Sequence, residues 1–357
     1  MNNERGETNK KHYIMKKLLL NLLLVLGVVG FSACSVSDNP VDPTPTPGGP
    51  SLLEKYYFSI VDATYVDAAM PTPTITSGIV GITMNGQAIA GGSNIVTITT
   101  QTEYEKFFVG VKNVNGYWEV APVAEGSGAA NSAVKTDNGY LIPILYSVLF
   151  DTNVTILVSA KTKSGEYTKI TEFPISFVET KSGDLEINLS FNNEKDIDLH
   201  LYTPSGKHIY YADRGGSVNT SEGIVEFGLD KDSNAACIID GLNNENIFIP
   251  EILVEDGEYI VQVDMWSNCD RSIATSWAVL ARYNKELLNN VVEGYGNPAI
   301  GEYPVGAGNG DHTTVMKFTI NRSNRAKPAG QFVNWNSFKP YPIDDIASMK
   351  VEEESWR

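Results

Sequence analysis

Polar and apolar residues alternate along residues 194–206, a stretch that ends in a Pro-Ser-Gly turn signal. Because successive side chains of a β-strand point to opposite faces, this alternation predicts a strand with one apolar face and one polar face. The polar face would bring together two carboxylates and an imidazole, from Asp196, Asp198 and His200. The apolar face would serve a core and carries Ile197, Leu199 and Leu201.

Short apolar runs separated by turn signals also fill the first half of the chain. The pairs Asn85-Gly86, Asn115-Gly116 and Asn138-Gly139 are typical of tight hairpin turns, because both residue types tolerate positive φ. Strands at this spacing without intervening helices predict an immunoglobulin-like β-sandwich over residues 53–180, with its first strand at residues 56–61.

A second β-sandwich is expected over residues 181–325, where alternating runs continue. The glycine-rich residues 294–310 lack the lysine and the strand-loop-helix setting of a phosphate-binding loop, so we expect an ordinary surface loop there. Residues 326–357 form a C-terminal tail with too many aromatic residues for a free linker. This composition indicates that the tail packs back onto a domain.

Composition and charge narrow the classes of partner. The 357 residues are 42% hydrophobic and 10% aromatic, which suits a chain that buries substantial cores. A net charge of −16 excludes a nucleic-acid partner, because phosphate binding requires a positive surface. The same charge offers no electrostatic attraction to anionic lipid.

The N-terminus has the pattern of a secretory signal peptide over residues 1–33. Basic residues after Met15 precede a leucine- and valine-rich run, and small residues follow it. The polar segment before Met15 is long for a signal, so Met15 is an alternative start to Met1. Residues 34–52, rich in Ser, Pro, Thr and Gly, predict a flexible tether.

Cys34 directly follows Ser-Ala, and this arrangement resembles the bacterial lipoprotein signal, in which that cysteine is lipidated. Phe31 departs from the leucine that is usual three positions before the cysteine. The resemblance implies an outer-membrane lipoprotein held to the membrane by its N-terminal lipid. It leaves open the periplasmic or the cell-surface side, and the alternative is an ordinary signal peptide with an incidental cysteine.

Five motifs follow one another between Leu185 and Tyr283, and they are Asp196–His200, Pro204–Gly206, Leu229–Cys237, Asn243–Ile247 and Gly257–Val263. With these motifs, the second half of the chain resembles the YfaP-type β-sandwich domain of bacterial secreted proteins and lipoproteins, and more loosely the bacterial pre-peptidase C-terminal domain. This resemblance implies a jelly-roll-like sandwich, often an accessory module, with calcium sites in the looser relative and no defined activity.

Several acidic residues of this domain have the spacing of cation ligands. Asp196 and Asp198 would lie about 7 Å apart on one strand face. Alternating oxygen ligands suit calcium, which takes six to eight oxygens, although the complete EF-hand pattern is absent. Turn capping by side-chain-to-backbone hydrogen bonds is the competing interpretation. The candidate calcium ligands are Asp196, Asp198, Asp230, Asp232, Asn234 and Glu245.

Two cysteines remain once Cys34 is assigned to lipid. The compartment beyond the inner membrane is oxidising, so Cys237 and Cys269 are expected to form a disulfide. Two buried thiols are the alternative. A bridge closing 32 residues would contribute about 3–4 kcal/mol in the loop-entropy model.

Two classes of function fit these features. The first is a non-catalytic, lipid-anchored binding or scaffold module with a protein or glycan ligand, for which Tyr210, Tyr211, Trp266 and Trp277 are candidate sugar-stacking rings. The second is an envelope glycan or peptide hydrolase, or its accessory component, with a carboxylate pair such as Asp196 and Asp230. The sequence contains no Gly-x-Ser-x-Gly elbow and no zinc-ligand spacing among its histidines, so the first class is preferred.

Overall fold

A computed structural model of the 357-residue chain describes residues 51–124, 133–136, 139–220, 223–294, 296–322 and 339–340. Within these residues almost all regular structure is β-strand, which confirms the predicted all-β fold. The strands form four sheets that enclose two hydrophobic cores.

The described chain begins with a short helix, α1 (Leu52–Tyr56). The hydroxyl of Ser51 accepts a hydrogen bond from the N–H of Glu54 at 3.0 Å, which caps the first turn. The alternation predicts a strand at residues 56–61, but the Ser51 cap stabilises a helix that extends to Tyr56. The strand that follows is confined to Phe58–Ser59.

The first sandwich contains twelve of the described strands. One sheet has the order β3-β5-β10-β9-β8, with β1 paired to β10, and the other has the order β2-β7-β6-β11-β12-β4. The strands are β1 (Phe58–Ser59), β2 (Thr64–Val66), β3 (Ile82–Thr83), β4 (Gln87–Ile89), β5 (Ser93–Thr99), β6 (Tyr104–Val111), β7 (Tyr117–Val120), β8 (Pro122–Ala124), β9 (Ala133–Thr136), β10 (Gly139–Tyr146), β11 (Val154–Thr162) and β12 (Thr171–Val178).

The second sandwich contains the remaining thirteen described strands. One sheet has the order β21-β20-β13-β18-β17-β16-β25, with β23 paired to β20, and the other has the order β15-β14-β19-β24-β22. The strands are β13 (Leu185–Phe191), β14 (Asp196–Tyr202), β15 (His208–Ile209), β16 (Gly215–Thr220), β17 (Gly223–Lys231), β18 (Asn244–Ile249), β19 (Gly257–Ser267), β20 (Thr275–Tyr283), β21 (Glu286–Leu287), β22 (Val291–Gly294), β23 (Ala299–Tyr303), β24 (Asp311–Ile320) and β25 (Lys339–Pro340).

Strand β14 confirms the predicted apolar face. Ile197, Leu199 and Leu201 are completely buried in the core of the second sandwich. The polar face is also buried, because residues 232–243 fold over Asp196, and His208 and Tyr210 stack against His200. Asp196 is 2% exposed and Asp198 is 3% exposed. The pattern alone does not show this cover.

The expectation of a surface loop at residues 294–310 is wrong for part of this segment. Strand β23 pairs antiparallel with β20, and Gly301 lies opposite Trp277. The glycine lets the chain pass close over the indole ring, since a Cβ atom at Gly301 would lie 2.1 Å from Cζ2 of Trp277. A strand this short, between turn residues, carries too little alternation to be recognised.

The two sandwiches pack directly against each other. Ile95 and Leu141 of the first contact Ala278 of the second in a small apolar cluster. Beside it, the hydroxyls of Ser93 and Ser190 form a hydrogen bond of 2.6 Å, and both serines are completely buried. All described residues accordingly fall in one compact unit.

Most of the predicted tail, residues 326–357, lies outside the described residues. Its described part is β25, in which Lys339 and Pro340 pair with Ser217 and Gly216 of β16. The predicted signal peptide, most of the tether and Cys34 also lie outside the described residues.

Candidate cation site

Three carboxylates of the second sandwich form a cluster: Asp198, Asp232 and Glu245. Asp198 comes from β14, Asp232 follows β17, and Glu245 comes from β18, so both sheets contribute. One oxygen from each side chain lies within 4.8 Å of the other two. We call these three residues the acidic cluster.

One carboxylate oxygen of each residue in the acidic cluster is buried without a hydrogen-bond partner among the described residues. These atoms are Oδ2 of Asp198, Oδ1 of Asp232 and Oε1 of Glu245. Glu245 is 0% exposed and Asp198 is 3% exposed. Buried polar atoms are normally paired, and an unpaired buried charge costs several kcal/mol. The cluster therefore has the character of an incomplete site.

The spacing of these oxygens suits one hard cation. Two oxygens that each lie about 2.3–2.6 Å from a calcium ion can be at most about 5 Å apart. The observed limit of 4.8 Å falls inside that range. Three carboxylate oxygens without sulfur or imidazole favour calcium or magnesium over zinc.

The electrostatics of the acidic cluster are strongly unbalanced. Burial, followed by the neighbouring carboxylates, raises the pKa of Asp198 and Glu245 well above the ordinary range. Burial and Asp232 raise the pKa of Asp196 to about 8. Burial also raises the pKa of Asp232, and the guanidinium of Arg214, with Nη1 at 3.7 Å from Oδ2 of Asp232, opposes this effect in part. Further positive charge would be favourable here.

A fourth and a fifth carboxylate lie beside the cluster. Oδ2 of Asp196 accepts a hydrogen bond from the N–H of Ala236 at 2.8 Å. Asp264 of β19 faces Asp198 across the strand pair, and its Oδ1 is buried without a partner among the described residues. Sequence reasoning missed Asp264. The available signal was a carboxylate within a strongly apolar strand, but only the pairing register shows which residue it faces.

Residues 232–243, which we call the covering segment, close over the acidic cluster. Asn234, Ala236 and Cys237 all have positive φ, at 61°, 52° and 60°. Such conformations cost about 1–3 kcal/mol each for residues with a Cβ and persist where the surroundings enforce them. A disulfide joins Cys237 to Cys269, with Cα atoms 5.7 Å apart, and so ties the covering segment to the end of β19.

Two of the predicted ligands do not point into the acidic cluster. The carboxylate of Asp230 accepts hydrogen bonds from the side-chain amide of Asn246 at 2.6 Å and from the N–H of Lys181 at 2.6 Å. The cause is a register shift, because Leu229 pairs with Ile247 but Lys231 pairs with Asn246. The extra residue places Asp230 and Asp232 on opposite faces, whereas in a regular strand two residues at this spacing would share a face.

Asn234 is also used elsewhere. Its amide group donates to the carbonyl of Lys195 at 2.9 Å and to Oδ1 of Asn243 at 2.7 Å. Its Oδ1 accepts from the N–H of Asp240 at 3.1 Å. Asn234 thus shapes the covering segment, which is the turn-capping role that the sequence left open.

Trp277 is buried, and the other candidate sugar-stacking rings, Tyr210, Tyr211 and Trp266, are half-buried and contact neighbouring rings. Trp277 is 2% exposed in the core. The ring of Tyr210 stacks on His208 with centroids 3.9 Å apart and planes 2° apart. Tyr211 contacts Trp266 edge to face at 5.9 Å. These contacts do not favour a carbohydrate platform on this face.

No protein-family model matches the chain, and no curated protein matches it. Among the described residues, no helix is both long and apolar enough to span a membrane.

Proposed function

We propose that this protein is a non-catalytic lipoprotein of the bacterial cell envelope that acts as a binding or scaffold module. Its second sandwich would be stabilised by calcium or a similar hard divalent cation in the acidic cluster. Two observations on the same three carboxylates carry the cation: one oxygen of each lies within 4.8 Å of the other two, and one oxygen of each is buried without a partner among the described residues.

A bound cation would connect three parts of the second sandwich. Asp198 lies on one sheet, Glu245 lies on the other, and Asp232 begins the covering segment. Binding to the folded state alone stabilises that state in proportion to the logarithm of ligand concentration over Kd. The cation would therefore hold the covering segment closed and relieve the repulsion between the carboxylates.

Burial favours a structural role over the alternative of a glycan or peptide hydrolase. A catalytic carboxyl must come within hydrogen-bond reach of its substrate. Asp196, Asp198 and Glu245 are at most 3% exposed under the covering segment. Asp230, which was the candidate catalytic partner of Asp196, is bound to Asn246 instead.

The lipid anchor rests on the residues around Cys34. An acidic protein with net charge −16 needs an anchor other than charge to stay at an anionic membrane. Metabolic labelling with an alkyne fatty acid should modify the wild-type chain and not Cys34→Ala. Equal labelling of both proteins, or none of either, would contradict the anchor.

The cation is tested by calorimetric titration of the purified protein with calcium chloride after chelation. We expect saturable binding at one site that is lost in Asp232→Asn and retained in Asp230→Asn. This pair is matched, because the two aspartates are two residues apart and only Asp232 belongs to the acidic cluster. Absence of heat and of a melting shift at millimolar calcium in wild type would refute the site.

A further inference from the structure

A cleft of about 680 Å³ opens where the covering segment meets the first sandwich. Its walls come from three places: the turn around Asn85, residues 192–194, and the loops joined by the disulfide Cys237–Cys269. The cleft is open to solvent along one side, and ligand sites occur preferentially between domains.

The rim of this cleft is aliphatic. Ile239 and Ile273 line it and are 41% and 43% exposed, and Ile238 beside them is 67% exposed. Met84 lines the opposite side. Exposed aliphatic side chains grouped around a concave surface mark a contact site more often than isolated ones do.

Two acidic side chains line the cleft, and the ammonium of the buried Lys195 interacts with one of them, Asp270. Glu194 and Asp270 line it, and both are exposed. Among the residues that the structure describes, no lysine or arginine lines the cleft. The whole chain adds to this field, since it has 43 acidic and 27 basic residues. A ligand with positive charge would be attracted and oriented.

The floor of the cleft carries two side-chain amides, whose N–H and C=O groups resemble those of a peptide bond. The side chains of Asn85 and Asn243 bond to each other at 3.1 Å, and Asn85 donates to the carbonyl of Phe191 at 2.6 Å. A side-chain amide has two donor hydrogens, and each of these two amides uses one of them in the bonds above. Both amide oxygens already accept a bond, Oδ1 of Asn243 from Asn234 at 2.7 Å, so each residue offers a ligand one remaining N–H. Gly86 and Gly241 also line the cleft, and their lack of a side chain lets another backbone approach closely.

We propose that this cleft binds a short, extended polypeptide segment that carries both aliphatic and basic side chains. The aliphatic side chains would contact Ile239 and Ile273, and the basic ones would pair with Glu194 and Asp270. Amides of the floor would bond the peptide backbone. Among the described residues no aromatic ring lines the cleft, which disfavours a glycan, because sugar recognition commonly uses ring stacking.

This inference names the class of partner for the binding module proposed above. None of the three residues of the acidic cluster lines the cleft, although the covering segment forms one of its walls, so peptide binding and calcium binding are measured separately. If calcium binds and the peptide does not, only the peptide proposal is refuted. If the peptide binds and calcium does not, only the proposed cation site is refuted.

The test uses a fluorescein-labelled hexapeptide of alternating lysine and isoleucine, with the purified full protein, measured by fluorescence anisotropy. We expect saturable binding that weakens at least tenfold in the double variant Glu194→Gln, Asp270→Asn. The double variant Ile239→Ser, Ile273→Ser should lose at least tenfold as well. The matched control is Glu179→Gln, Glu258→Gln, which removes two exposed charges outside the cleft and should bind like wild type.

Three results would overturn the proposal. They are no binding of the lysine peptide at millimolar concentration, equal binding of an alternating glutamate–isoleucine peptide, and equal weakening in the control variant. Melting curves check that the variants fold. A peptide carrying a benzophenone group gives an independent measurement on the wild type. Its photo-cross-links should form with residues of the cleft, and cross-links to another surface would refute the proposal.

Discussion

The carboxylate of Glu245 accepts a hydrogen bond from the backbone N–H of Leu199 at 2.6 Å, which joins β18 of one sheet to β14 of the other. Oε2 makes this bond, while Oε1 is buried without a partner among the described residues, and Glu245 belongs to the acidic cluster. One oxygen of Glu245 thus holds the sheets together, and the other is available to a cation. The two roles can be separated by mutation.

Glu245→Gln should keep the acceptor for Leu199 and remove the buried charge. Because burial raises the pKa of Glu245, this replacement is expected to stabilise the cation-free protein at the higher pH values at which Glu245 would otherwise ionise. The same variant should lose its calcium-induced shift in chemical denaturation. Glu258→Gln, which removes an exposed charge, should behave as wild type. A calcium shift of wild-type size in Glu245→Gln would contradict the assignment of this ligand.

The stability of the cation-free protein should fall as pH rises from about 4 to about 8. Burial and Asp232 raise the pKa of Asp196 from 3.8 to about 8, and Asp198 and Glu245 shift in the same direction. A carboxyl whose pKa is higher in the folded state binds more protons there, so it stabilises the fold at low pH. This stabilisation is lost as the pH rises through the pKa of the group in the folded state.

Calcium should reverse part of this trend, because protons and the cation compete for the same oxygens. The calcium-induced gain in the free energy of unfolding should therefore grow between pH 5 and pH 8. Urea denaturation at several pH values, with calcium and with chelator, measures both effects. A calcium-induced gain that is the same at every pH would argue against carboxylate ligands.

Reduction of the Cys237–Cys269 disulfide should destabilise the protein by about 3–4 kcal/mol in the loop-entropy model, since the bridge closes 32 residues. It should also weaken calcium binding, because the covering segment contains Asp232 and supplies the N–H of Ala236 to Asp196. Calorimetry on the variant Cys237→Ser, Cys269→Ser checks both. In that variant a reductant should have no further effect.

Gly301→Ala should destabilise the second sandwich by about 1–3 kcal/mol, because the new methyl group would overlap the indole of Trp277. The control is Gly78→Ala, where the nearest atom to a new Cβ is Oγ1 of Thr171 at an ordinary 3.6 Å. That change should stay within about 0.5 kcal/mol. Equal melting temperatures for the two variants would show that β23 does not pack on Trp277 as described.

Local alternation was enough to predict the all-β fold and the apolar face of β14. Ile197, Leu199 and Leu201 could be assigned to a core from sequence, because side-chain direction in a strand repeats every two residues. The residue types of the candidate cation site were also visible, since carboxylates spaced by two residues stand out in a strand pattern.

Tertiary structure decided which carboxylates meet. The register shift between Leu229 and Lys231 separates Asp230 from Asp232, and pairing across β14 and β19 sets Asp264 opposite Asp198. Register depends on contacts between residues far apart in sequence, so alternation within one strand cannot show it. The burial of the acidic face likewise comes from the covering segment, which reaches that face only when the chain is folded.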